Sequence, residues 1–137
     1  SGKQRSGSEV RSFNAFVPAI RRVFSGKATN TKVSGPYNKI YPLKLGNRNV
    51  FSFTTMEESG GFSKTQRACE VVKEEMLFVQ KKNLRTFLVI CEDSDGTRIN
   101  FYYSPEINLV VKKRTQFKKN GYVWRKTESL TGLRYPE

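Results

Sequence analysis

Apolar residues recur along the chain in two rhythms. In VRSFNAFVPAIRRVFSG, residues 10–26, Val10, Phe13, Val17, Ile20 and Phe24 fall at spacings of three and four. That spacing predicts an amphipathic helix. Pro18 predicts a kink or a helix start, and Gly26 a C-terminal stop. A second helix is expected where Ser63 and Gln66 form a capping-box pattern and Ala68, Val72, Met76 and Val79 then share one face. Residues 27–38 read as loop. The segments IYPLKL (40–45) and NVFSFTT (49–55) read as strands joined by Gly46-Asn47, with Pro42 placing the first at a sheet edge. TFLVICE (86–92) and TRINFYYS (97–104) follow, separated by Asp93-Ser94-Asp95-Gly96, a hairpin signal. INLVV (107–111) leads into the C-terminal segment. The expectation is an α+β fold, an antiparallel sheet carrying one or two packed helices and a basic C-terminal β-hairpin. Residues 1–9 read as a flexible tail, and 10–137 as a single α+β nucleic-acid-binding domain.

Composition narrows the class. With 137 residues, 36% hydrophobic and 27% charged, the chain suits one globular domain. No apolar run reaches the roughly 18–20 residues that span a bilayer, and no secretory segment opens the chain, so a soluble protein is expected. Charge changes the picture most. Twenty-five Lys and Arg against twelve Asp and Glu give +13, which points to a polyanionic partner, nucleic acid or an anionic membrane surface. The acidic residues gather between 57 and 106, leaving both ends of the chain strongly basic.

Histidine is absent and there are two cysteines, 22 residues apart. Neither a zinc set nor a common nucleophile–base pair can be assembled from these, so no catalytic residue, metal site or cofactor is expected. Cys69 and Cys91 sit in the apolar contexts ACEVV and LVICE and read as small buried hydrophobes. A disulfide between them stays open, although a lone one suits a basic intracellular domain poorly.

The segment KKRTQFKKNGYVWRKT, residues 112–127, concentrates the charge. Seven of its sixteen residues are basic and none is acidic. Asn120-Gly121 is the favoured pair for a two-residue type I′ turn, since both central residues need positive φ. That register places Lys119 opposite Tyr122, Lys118 opposite Val123 and Phe117 opposite Trp124. Alternation along each strand then puts Phe117, Lys119, Tyr122 and Trp124 on one face, and Lys118, Val123 and Arg125 on the other. A ribbon with basic groups on both faces can enter a major groove or track a backbone beside stacking rings. For Phe117 and Trp124 the favoured expectation is that they are core residues, with the lysines guarding a sheet edge, whereas the basic cluster is expected to be functional.

The stretch INLVVKKRTQFKKNGYVWRK resembles the segment of the CG-1 DNA-binding domain of calmodulin-binding transcription activators in which an apolar strand runs into basic residues and an Asp-Gly-x-x-Trp-(Arg/Lys)-Lys turn. Lys112, Lys113, Phe117, Lys118, Lys119, Gly121, Trp124, Arg125 and Lys126 occupy the matching positions. The likeness covers about 20 of the 137 residues. It stops after Lys126, where the family continues with lysines and this chain reads Thr-Glu-Ser-Leu-Thr-Gly. The resemblance implies sequence-specific DNA binding in the nucleus.

These readings combine into an expectation of a non-enzymatic DNA-binding domain of a nuclear transcription regulator. Lys112, Lys113, Arg114, Lys118, Lys119, Trp124, Arg125 and Lys126 are the expected contact residues, with Arg21 and Arg22 as a secondary patch. Double-stranded DNA is the expected partner, with a protein partner a further option and a membrane disfavoured. The alternatives are an RNA or single-strand binder that stacks bases on exposed rings, and a basic membrane or protein interaction domain.

Overall fold

The dominant rhythm in the folded chain is two, not three to four. The computed structural model describes residues 7–10, 16, 18, 21–24, 27–36, 39–58 and 60–129. These form nine strands: β1 (Gly7–Val10), β2 (Arg21–Phe24), β3 (Lys27–Ser34), β4 (Arg48–Glu57), β5 (Phe62–Val79), β6 (Lys82–Asp93), β7 (Arg98–Ser104), β8 (Leu109–Lys119) and β9 (Tyr122–Ser129). Each pairs antiparallel with the next, so the sheet is a meander in sequence order, with β1 and β9 at its two edges.

The expected α+β fold is therefore overturned, since the described residues form an all-β antiparallel sheet without a helix. Residues 63–79 lie in β5, where Thr65, Arg67, Cys69 and Val71 are buried in strict alternation. At Val72 the pairing with β6 slips by one residue. Such a bulge swaps the faces of everything beyond it, so Val79 comes to the face of Ala68 although the two are an odd number of residues apart. The spacing of four at Ala68, Val72 and Met76 fits alternation by two as well as a helical turn. The expected N-terminal helix is replaced at its two ends by β1 and β2, and most of its middle lies outside the described residues. Residues 27–34, expected as loop, are β3. The expected strand at 40–45 does not form; this segment buries Ile40 and packs Leu43 against the core. Asn47 fixes it, donating through Nδ2 to the carbonyls of Ile40 and Pro42 at 3.3 and 2.6 Å. The flexible tail expected at 1–9 lies outside the described residues except for 7–9 in β1.

The sheet carries apolar clusters on opposite faces. On the face of Phe51, Phe53, Cys69, Val71, Phe87, Val89, Cys91, Ile99 and Phe101, the main core is capped by Phe16 and Ile40. Phe16 stands edge-on to Phe101, ring centroids 5.2 Å apart, one of the geometries that the ring quadrupole favours. We call this the core face. On the other face Leu84, Leu88, Tyr102 and Val111 form a smaller cluster with Leu77 and Ile107.

Two cross-links brace the main core. Cys69 and Cys91, directly opposite on β5 and β6, form a disulfide and are not free thiols. Arg67 and Asp93 form a two-pronged ion pair, Nε–Oδ1 2.6 Å and Nη2–Oδ2 2.8 Å, while Arg67 Nη1 donates to the Phe16 carbonyl at 3.0 Å. One guanidinium thus ties β5 to β6 and to the capping segment. It also lies 5.0 Å from the Phe53 ring centroid.

Candidate nucleic-acid interface

The β8–β9 hairpin forms with the register read from the sequence. Phe117 faces Trp124, Lys118 faces Val123 and Lys119 faces Tyr122. Asn120 and Gly121 both have positive φ, 54° and 79°, as a two-residue primed turn requires.

Exposure decides what the aromatic residues do. All eight residues of β9 are exposed. Tyr122 and Trp124 are 71% and 54% exposed, so these rings are surface groups, and only Phe117 is half-buried. A hairpin without an apolar face to bury is held by its neighbours: β8 is anchored by pairing with β7 and by Val111, which lies in the smaller cluster.

The cationic residues separate into groups. Lys112 and Lys113, at the root, lie 5.5 Å above the rings of Tyr102 and Phe101. These cation–π contacts tie them to the sheet. Lys119 and Lys126 share the core face with Phe117, Tyr122 and Trp124, beyond the covered part of the core. Lys126 lies 4.0 Å from Glu128. Arg114, Lys118 and Arg125 share the opposite face, where Arg125 Nε donates to Gln116 Oε1 at 3.3 Å. Arg21 and Arg22 sit on β2, and five strands lie between β2 and β8 in the sheet order, so the hairpin and β2 are not neighbours.

Two residues that sequence reading missed join the second face. Arg98 lies opposite Gln116 and Asn100 opposite Arg114, bringing β7 into the basic surface. The signal was available: once TRINFYYS is paired with the following strand, its alternation puts Arg98 and Asn100 on the face away from Ile99 and Phe101. Among the described residues neither Arg98 nor Arg114 makes an ion pair or a side-chain hydrogen bond. Two uncompensated guanidinium groups, with Arg125 beside them, can hold an anion by paired N–H donors.

Chemically the surface can bind and neutralise an anion. Among the described residues no cluster of three metal-ligating side chains occurs, and no helix is long and apolar enough to cross a membrane. No family model, curated protein or solved structure matches the chain.

Proposed function

We propose that this chain is a non-enzymatic nucleic-acid-binding module that contacts duplex DNA through the β8–β9 ribbon. One observation carries the reading: β9 is exposed along its whole length, with basic side chains on both faces of the hairpin that it completes. A ribbon of two strands has the width of a major groove. Lys118 and Arg125 would meet phosphates on one side, Lys119 and Lys126 on the other. A role in transcription regulation rests only on the resemblance of residues 107–126.

Fluorescence anisotropy with labelled duplex, single-stranded DNA and RNA tests this. Six to ten phosphate contacts should weaken duplex binding by about 10³–10⁵ between 50 and 200 mM salt. Changing Lys118, Lys119, Arg125 and Lys126 together to Glu should abolish it. A flat salt response, or a folded variant that binds as the parent does, rejects the ribbon as the contact element.

The Cys69–Cys91 disulfide favours a second reading. Disulfides persist in oxidising compartments, which weighs against a nuclear setting. The same ribbon would there meet an anionic membrane surface, with Tyr122 and Trp124 at the headgroup level. Co-sedimentation with phosphatidylglycerol vesicles, and no preference among nucleic acids, supports this second reading over the first.

A further inference from the structure

Together with the ribbon, β7 forms a hollow of about 370 Å³ whose lining includes Arg98, Asn100, Arg114, Gln116, Arg125 and Thr127. We propose that this hollow is a discrete seat for one small phosphate group, which shares Arg125 with the ribbon but reaches onto β7 through Arg98 and Asn100.

The register builds it. Arg98, Gln116 and Arg125 stand in one row across the three strands, and Asn100, Arg114 and Thr127 in the next. Neighbouring strands lie about 4.7–4.9 Å apart and alternate residues about 6.5 Å apart along a strand. Three guanidinium groups thus rise from three corners of a patch that a single tetrahedral oxyanion can sit over. Like charges on adjacent strands repel, and an anion held between them removes that cost. The neutral side chains complete the seat. Because Gln116 Oε1 accepts from Arg125 Nε, its amide N–H groups are left to donate, and Arg125 keeps its terminal nitrogens. Asn100 adds an amide and Thr127 a hydroxyl. Glu92, opposite Arg98 on β6, borders the seat without forming an ion pair with it. Glu128 is across the sheet with Lys126. Arginine forks match phosphate geometry through paired donors, which a lysine cannot reproduce.

The test is a titration of the full chain with inorganic pyrophosphate at low salt, read by arginine Nε–H and backbone NMR shifts. Saturable shifts centred on residues 98, 114, 116 and 125 are expected. Arg98→Gln and Arg114→Gln should each weaken binding about tenfold or more, and Arg98→Lys by nearly as much. Lys119→Gln removes the same charge from the opposite face and should change it less than twofold. Absence of saturable shifts overturns the proposal. So does equal weakening by Arg98→Gln and Lys119→Gln, because that is the mark of a general basic field.

The reading of the ribbon as a nucleic-acid contact stands or falls separately. If Arg98→Gln binds duplex as the parent does and pyrophosphate fails to bind, the seat is wrong and the ribbon stands. If pyrophosphate binds but no duplex does, the seat stands and the ribbon reading is wrong. Competition identifies the source of the phosphate: displacement by a short duplex assigns a nucleotide, displacement by phosphatidylglycerol vesicles a lipid headgroup, and displacement by neither a free small phosphate.

Discussion

β6 and β9 are both antiparallel strands of the same sheet, yet they use their side chains in opposite ways. β6 has neighbours on both sides and buries Leu84, Thr86, Phe87, Leu88, Val89 and Cys91 between the two apolar clusters. β9 has one neighbour and buries nothing. The sheet needs the side chains of β6 and only the backbone of β9. Where stability makes no demand on a side chain, a run of cations and rings is free to serve a partner outside the chain, which is the role proposed for the ribbon. A lone two-stranded hairpin is marginal in water, so β9 persists because β8 is fixed to β7. Substitutions in the two regions should therefore report different things: unfolding from β5 and β6, binding from β8 and β9.

Breaking the Arg67–Asp93 pair should give the largest effect. Its side chains are 9% and 5% exposed. Arg67→Ala leaves a buried carboxylate without its guanidinium and removes the Nη1 donor from the Phe16 carbonyl. We expect a loss of about 3–5 kcal/mol in urea unfolding. The double change Arg67→Met, Asp93→Leu should recover most of it, because it removes both charges together. If the single change costs less than about 1 kcal/mol, the pair does not hold the capping segment. Reduction of the disulfide should rank next. Cys69→Ala with Cys91→Ala should cost about 2–4 kcal/mol, visible as a lower urea midpoint, and added reductant should then have no further effect.

The C-terminal half was more legible in the sequence than the rest, and the reason is local. Asn120-Gly121 and Asp93-Ser94-Asp95-Gly96 fix hairpins through the φ preferences of a few residues, so pairing and faces follow from counting. β5 was open to a helical reading because the spacing of four at Ala68, Val72 and Met76 fits both periods, and the slip at Val72 that carries Val79 to the face of Ala68 shows only in the pairing with β6. Its turn into β6 carried no cue either, since Gln80 and Lys81 take positive φ without a glycine. Cys69 and Cys91 looked like buried hydrophobes, which they are, but their bond depends on a register that puts them opposite each other. Of the candidate site, the hairpin residues were readable from spacing, whereas Arg98 and Asn100 join them only through the β7–β8 pairing.

The ribbon sharpens the comparison from the other side. Lys118→Ala and Arg125→Ala should each shift unfolding by no more than about 0.5 kcal/mol, as exposed positions do, while weakening the polyanion binding proposed for the ribbon. Trp124→Ala should cost about 0.2–1 kcal/mol, the range for a cross-strand pair such as the one with Phe117. A loss above 2 kcal/mol at any of these positions would mean that β9 is part of the core after all.

The smallest effect is expected at the margin between the two regions. Tyr103, on β7, packs against the main core and donates through its hydroxyl to Asn108 Oδ1 at 2.8 Å. Burial raises its pKa above the ordinary 10.0, because desolvation disfavours the charged phenolate. The sign follows from linkage: the unfolded chain releases this proton first, so the folded form holds more protons above pH 10. The contribution of Tyr103 is complete below the unfolded value and fades as pH rises through the folded one. Tyr103→Phe should therefore flatten part of the alkaline fall in stability while leaving neutral pH nearly unchanged, apart from the hydrogen bond to Asn108. Absorbance titration at 295 nm should show a late-ionising tyrosine in the parent that is missing from the variant. Tyr122 is the control, since Tyr122→Phe removes the hydroxyl of a residue that is 71% exposed and should leave the late ionisation of Tyr103 in place. If both variants alter the titration in the same way, the edge and the interior of the sheet do not differ as the burial of their rings requires.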